Sequence, residues 1–357
     1  MQRRNTAPVL SVARHSSCSA WDRFRLTGTG IGKETHTHDD DFHDDWPHDR
    51  PMKTAIVLNR SAGTLVGRPI DDTVAAIRNA FEKHGAEVTL SAVEPAACHG
   101  EIKKAIDSDA EVVVVGGGDG TIHTAVNMLM PAGKAMGILP LGTLNLLARD
   151  LHTPLDLDEA FNALADGEMR AIDVAEVNGE AFLNSSVLGF YPTVVQEREE
   201  KRKRHRLLKW PAMGVAMAKA LYRLPLLDVR IDWGEGPRRV RTPVLVVSNN
   251  PYDGEAGSML VRRNTLDSGK LGVYVARHRD GWGLLRLMGR TALGTWQRDE
   301  ELETLTATQL TVHSRRRRLK MVNDGEIRQL EPPLHYRIRH KALTVLAPRP
   351  NGAQEVP

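Results

Sequence analysis

Between residues 53 and 140 the apolar positions fall into short continuous runs separated by stretches of helical spacing. "TAIVLN" (54–59), "AEVTLSAV" (86–93), "EVVVV" (111–115) and "AMGILP" (135–140) are too continuous for strands with one wet face, and predict strands buried on both sides. A helix opened by Asp71 and Asp72 as caps sets Val74, Ile77 and Phe81 on one face and stops at Gly85. Glu101 to Ile106 forms a helical piece, and Thr121 to Leu129 a further helix with Ile122, Val126 and Leu129 aligned and Pro131 just beyond. Strand and helix in alternation require a parallel sheet covered on both faces, so the first domain is α/β.

After about Asp173 the pattern changes. "AIDVAEV" and "EAFLNSSV" flank Asn178-Gly179, a strong hairpin signal, and "LLDVRIDW", "RTPVLVVSN", "KLGVYVA", "ATQLTVHS" and "LKMVNDG" follow as strands between Gly, Pro and Asp turns. An antiparallel second domain is predicted, with residues 193–223 helical and divided at Pro211. Residues 1–51 have no sustained periodicity and end in a His/Asp-rich tract that cannot bury enough apolar surface to fold alone. They read as a disordered tail. His36, His38 and His43 match no closed metal-ligand spacing, and Met52 stands directly before the first strand, where a translation start would also fit.

The 357 residues, 41% of them hydrophobic, suffice for two ordinary cores. A formal charge of +3 gives no global field for nucleic acid, although basic residues cluster at Arg198 to Lys209 and Arg315 to Lys320. Cys18 and Cys98 have no C-x-x-C partner, which argues against a disulfide framework or structural zinc and for a reducing cytoplasm. No apolar run reaches the roughly 18–20 residues that span a bilayer.

"GGGDGT" (116–121) sits between a strand and a helix, the geometry that aims backbone N–H groups and a helix N-terminus at an anion. It is neither a Walker loop nor a Rossmann fingerprint, because it lacks the Gly-Lys-Ser/Thr ending of the one and the third glycine of the other. Asp119 is the discriminating residue. A carboxylate beside phosphate is repulsive unless a divalent cation lies between them or a substrate hydroxyl shares a proton with it, which points to phosphoryl transfer. "LPLGTLN" (139–145) and "NRSAG" (59–63) end two more strands, so three loops converge on one rim of the sheet with the hydroxyls of Ser61, Thr121 and Thr143.

With "NDGE" (323–326) late in the chain, these motifs in this order resemble the diacylglycerol kinase catalytic-domain family, which includes bacterial soluble lipid kinases and sphingosine kinases. The resemblance covers roughly residues 52–348. It implies an α/β ATP-binding domain (52–172), a β-sandwich lipid-substrate domain (173–340), a final strand (341–350) returning to the first domain, and an active site in the cleft between them. Carried over by position, Asn59, Arg60, Ser61, Ala62, Gly63, Ser91, Gly117, Gly118, Asp119, Gly120, Thr121 and Thr143 fall where ATP is held. Asp119 matches the Mg-ATP and hydroxyl site, and Asp324 and Glu326 match the catalytic acidic pair, one of them the base; which one is left open. "NDG" followed by Glu is also a good hairpin turn, and only the company of the other three motifs favours the catalytic reading.

Several positions depart from the family pattern. His123 and Thr124 stand where Asn and Glu are usual, Arg60 where proline is usual, and Ser91 where threonine is frequent. In the acidic metal segment Asp267 remains but Ser268 replaces the second aspartate, which weakens a structural Mg2+ site. The resemblance implies ATP and Mg2+ as cofactors and a lipid substrate met at the membrane surface, in phospholipid biosynthesis. The basic, apolar stretch 197–224 is the candidate for peripheral membrane contact at the inner face, and its competing reading is a solvated helix with a core face. "RRRR" (315–318) reads as a charged edge; a homodimer is compatible with the sequence, and no nucleic-acid partner is expected. Two other readings stand beside the lipid kinase: NAD kinase, which shares a Gly-Gly-Asp-Gly-Thr loop, and a catalytically weak lipid- or nucleotide-binding protein.

Overall fold

Three of the four runs of the first half, residues 54–59, 111–115 and 135–140, become buried strands; the run 86–93 is instead an edge strand with Glu87 and Thr89 exposed, because it has a neighbouring strand on one side only. The computed structural model describes residues 50–190, 192, 224–253, 263 and 265–349. The tail, with His36, His38 and His43, and the membrane-contact stretch 197–224, apart from its last residue, lie outside the described residues. Strands β1 (Met52–Asn59), β2 (Ala86–Val93), β3 (Val112–Gly117) and β4 (Ala135–Pro140) run parallel in the order β2-β1-β3-β4. Helices α1 (Ile70–Lys83), α2 (Pro95–Asp107) and α3 (Asp119–Ala132) connect them, α4 (Leu146–Asp150) and α5 (Leu157–Ala165) follow, and β3 and β4 are buried at every position.

The helix ends differ from the sequence reading for local reasons. Asp71 and Asp72 do not cap α1; they lie in its first turn, where a carboxylate complements the positive end of the helix dipole. The piece expected from Glu101 begins at Pro95, whose fixed φ suits the first helical position. Pro131 lies inside the last turn of α3, which closes at Gly133 in the left-handed conformation (φ 64°).

The antiparallel half contains β5 (Glu168–Val177), β6 (Glu180–Phe182), β7 (Ser185–Gly189), β8 (Leu227–Asp232), β9 (Arg238–Thr242), β10 (Val244–Asn249), β11 (Leu271–Ala276), β12 (Leu302–Ala307), β13 (Gln309–Ser314), β14 (Leu319–Asn323), β15 (Glu326–Leu330) and β16 (Leu334–Ala347). Asn178 and Gly179 both have positive φ, as the β5–β6 hairpin turn requires. One antiparallel sheet has the order β12-β11-β10-β7-β14-β15. Its inner face packs on β8, β13 and β16 through Leu188, Val247, Val273, Met321, Ile231, Val312 and Tyr336. Helix α6 (Gly281–Ala292) was not expected, because its glycines lower helix propensity; Asp280 caps it by accepting from Gly283 N at 2.7 Å.

β16 belongs to both halves of the fold. Its first part pairs antiparallel with β13, and its last part lies parallel to β4 through Val345 and Leu346, making the parallel strands continuous with β16-β13-β8-β9. β5 runs antiparallel along most of β16, and the register shifts between Arg339 and Leu343, where Lys341 has φ 48°. The carboxylate of Asp173, fully buried on β5, gathers this irregularity. Its Oδ1 accepts from Lys341 N and His340 Nδ1 at 2.8 Å each, and its Oδ2 from Asn250 Nδ2 and Gly269 N at 2.7 Å each. The described residues accordingly form one compact unit.

Asp173→Ala strands these donors without an acceptor, and the expected loss is roughly 3 kcal/mol or more. Urea unfolding should show a lower midpoint at unchanged slope; an unchanged midpoint would remove Asp173 as the clamp of the junction.

Candidate active site

The carboxyl ends of β1, β3 and β4 carry the three loops singled out in the sequence. Their backbones come close enough that side chains would not fit between them. A β-carbon built on Gly142 would stand 2.7 Å from Gly118 Cα and 2.8 Å from Asn145 Oδ1. Thr64 N reaches Leu141 O at 3.4 Å, which brings the first loop to the third. Gly118 precedes α3, so its loop presents the free N–H groups of a helix start, as a phosphate cradle needs.

Asp119 is the first residue of α3, and its carboxylate turns to the neighbouring loop. Oδ1 accepts from Leu146 N at 3.1 Å and Oδ2 from Asn145 N at 3.3 Å. Asn145 has φ 48° and Leu146 opens α4, so Asp119 satisfies donors that α4 cannot satisfy itself. The Asn145 side chain closes the same loop by accepting from Gly142 N (2.8 Å) and donating to Gly142 O (2.9 Å).

The other expected nucleotide contacts are dispersed. Asn59 Oδ1 accepts from Ser61 N at 3.1 Å, and the Ser61 hydroxyl donates to Glu94 at 2.8 Å, with Arg60 pairing the same carboxylate at 3.3 Å. Ala62 is buried and Gly63 begins a short 3-10 turn. Ser91 on β2 lies beside the Glu101 carboxylate on α2. Thr121 packs against Gly117, and Thr143 is exposed at the loop tip.

Asn323-Asp324-Gly325-Glu326 forms the two-residue turn between β14 and β15, with φ of 46° and 88° at Asp324 and Gly325. The two acids diverge. Asp324 is 8% exposed and turns inward, accepting from Leu183 N at 2.7 Å, Asn184 N at 2.8 Å and Ser185 N at 3.1 Å. Burial pushes its carboxyl above the ordinary range, against the pull of these N–H groups and of His123. Glu326 turns outward, with its side chain 38% exposed. Arg328 holds Oε2 at 2.7 Å, while Oε1 lies 2.9 Å from where a β-carbon on Gly120 would stand. Glu326 and the glycine loop are therefore brought together; Asp324 faces elsewhere.

The acidic metal segment does not fit a resident metal ion. Asp267 is exposed, and among the described residues no three His, Cys, Asp or Glu side chains converge on a point. Ser268 Oγ accepts from Asn250 Nδ2 at 2.8 Å, and both oxygens of neighbouring Asp173 are already taken by N–H donors. The segment is held by hydrogen bonds alone.

Two features beside the turn were not legible in the sequence. Arg263, 3% exposed, pairs with Asp150 at the end of α4 and donates to Asn249 O at 2.7 Å, to Asn184 Oδ1 at 3.0 Å and to Leu183 O. It thus ties α4 to the loop that receives Asp324. Buried His123, a departure from the family pattern, places Nε2 3.0 Å from Ala181 O, and Asn127 Oδ1 accepts from Ala181 N at 3.1 Å. Together they fasten α3 to β6. One of two arginines in "VRRNTL" and a histidine in an apolar helix carry no local signal of such distant partners.

Comparison with known proteins finds a match for each half of the chain. Residues 53–177 match the diacylglycerol kinase catalytic domain, and residues 187–347 match the YegS C-terminal NAD kinase beta sandwich-like domain. A diacylglycerol kinase of Staphylococcus saprophyticus is 26% identical over 187 residues, 51% of this chain and 59% of that protein. One from Staphylococcus carnosus is 33% identical over 185 residues, 51% and 58% respectively. The chain thus spans less than two thirds of the length of either relative. The crystal structure of a diacylglycerol kinase from Bacillus anthracis superposes with a TM-score of 0.63 at 17% identity, covering 83% of this chain and 97% of that one, a likeness of fold.

Asp119→Ala should release the amides of Asn145 and Leu146, with a loss of about 1–3 kcal/mol. Amide hydrogen exchange at these two positions is expected to accelerate; protection equal to wild type would show that another group holds the loop.

Proposed function

We propose that this chain, which carries the diacylglycerol kinase catalytic domain and the β-sandwich-like domain that follows it, is an ATP-dependent kinase of diacylglycerol or a related lipid alcohol. The observation that carries the reading is the approach of Glu326 Oε1 to Gly120 at the start of α3. A proton acceptor and an anion cradle meet there, as phosphoryl transfer to a hydroxyl requires.

In this reading residues 52–172 present the nucleotide and residues 173–340 the acceptor. The N–H groups of Gly118 to Gly120 receive phosphate oxygens, Thr121 N already donating to Gly118 O at 2.9 Å, with Asn59 to Gly63 and Thr143 around them. The acceptor's primary hydroxyl lies in line with the terminal phosphate, and Glu326 takes its proton at Oε1 as the oxygen–phosphorus bond forms and ADP departs. Arg328 fixes the other carboxylate oxygen and so orients the base. Asp324 holds the turn, and Asp119 holds the Gly-Thr loop at the correct distance. Mg2+ bound with the nucleotide would offset its charge; among the described residues the Asp267 segment offers no set of ligands for a resident ion.

The acceptor would be met at the membrane surface from the cytoplasmic side. Among the described residues no helix is long and apolar enough to cross a membrane. Helix α6 exposes Trp282, Leu285 and Met288 at three-residue spacing, which supports peripheral contact. A nucleotide acceptor, as in NAD kinase, is not favoured, because the catalytic-domain match is to diacylglycerol kinase. A pure binding protein would have no need of a carboxylate over the cradle.

Glu326→Gln keeps the shape of the turn and removes the base. It should lower kcat by about 10²–10⁴-fold, with KM for ATP and melting temperature near wild type. Wild-type kcat in this variant would assign the base elsewhere. Asp324→Ala should act instead on stability.

A further inference from the structure

The outer face of β8, β9 and β13 holds a pocket of about 600 Å3 that the proposed reaction does not use. Arg230, Arg239, His313, Arg315 and Arg316 line it, with Asp228 the acidic member. The register makes this arrangement unfavourable by itself. Arg230 stands directly opposite Arg239 on one side and His313 on the other, so three basic side chains share one row across three strands. Like charges directly opposite repel. Asp228 is engaged by Arg239, which donates from Nε at 2.9 Å and from Nη2 at 2.5 Å. That hydrogen bond first, and then the charges of Arg239, Arg241 and Arg315, hold the Asp228 carboxyl below its usual range. Among the described residues Arg230, Arg315 and Arg316 form no ion pair, whereas Arg318 beside them is paired with Glu331. Four guanidinium groups therefore face one carboxylate, leaving three positive charges for a ligand to neutralise.

The geometry points to this pocket as a second anion site, one for a phosphate-bearing ligand of at least two negative charges. Guanidinium groups match phosphate oxygens in pairs, and the volume suits a phosphomonoester, a pyrophosphate group or a phospholipid headgroup. The site is separate from the candidate active site. Arg315 and Arg316 precede β14, whose far end carries the Asp324–Glu326 turn, and a five-residue strand is roughly 16 Å long. The ligand would hold or regulate the enzyme without being the group transferred.

Two probes separate the sources of the phosphate. Inorganic pyrophosphate is titrated calorimetrically with the nucleotide site saturated by a non-hydrolysable ATP analogue. Phosphatidylcholine vesicles with and without phosphatidic acid are tested by flotation. Binding of pyrophosphate, of phosphatidic acid vesicles, or of both is expected, weakening as salt is raised. Arg230→Ala combined with Arg316→Ala should reduce it by about tenfold or more. Arg315→Glu, a change at an exposed turn, should do the same with an unchanged melting temperature. Kinase activity on a water-soluble short-chain acceptor should be unaffected. Failure of the wild-type protein to bind either probe, or equal binding by the variants, would overturn the assignment.

Discussion

Three consecutive backbone N–H groups, of Leu183, Asn184 and Ser185, converge on the carboxylate of Asp324, and the candidate site depends on that convergence. The turn at residues 323–326 joins two strands of the antiparallel sheet, and Glu326 is useful only if the turn is held towards the start of α3. A left-handed residue in a two-residue turn is readily displaced. Binding its side chain through three donors to the segment before β7 removes that freedom, and the pair bond Asp324 N to Ser185 O at 3.0 Å completes the attachment. Arg263 extends the attachment to Asp150 on α4, so α4 and the acidic turn are fixed to the same few residues.

The second constraint is the shared strand. Because β16 runs from the antiparallel layer into the parallel sheet, the two halves cannot slide along it without breaking its pairing with β5. The bulge at Lys341 redirects the strand, and Asp173 gives its exposed donors an acceptor. A site built at the junction inherits a fixed geometry from the main chain. Near the same junction Asn250 donates to both Asp173 and Ser268, closing the region around Asp267 with hydrogen bonds.

Much of this was legible in the sequence because it rests on local pattern. Continuous Val and Ile runs identified the parallel strands, and Asn178-Gly179 the hairpin that follows. The order of the glycine loop, the Gly-Thr loop and the acidic turn points to phosphoryl transfer from the sequence alone. What stayed hidden depends on partners distant in the chain or on residues of poor propensity. Helix α6 contains glycines, and β9 has an arginine-rich exposed face. Asp119 drew attention as an acid misplaced in a phosphate loop, yet it meets amides 26 and 27 positions away that no spacing rule reveals. The choice between Asp324 and Glu326 likewise needed the turn in three dimensions, since its two left-handed residues, Asp324 and Gly325, send the acids on either side of Gly325 in opposite directions.

The central claim is transfer of the terminal phosphate of ATP to a lipid hydroxyl. Incubating the protein with γ-labelled ATP and a panel of diacylglycerol, monoacylglycerol, phosphatidylglycerol, sphingoid base and NAD, with Mg2+ or Mn2+, tests it most directly. The account predicts label in the organic phase as a phosphorylated lipid alcohol, diacylglycerol or a relative. Label on NAD alone, or on no acceptor in the panel, would contradict it.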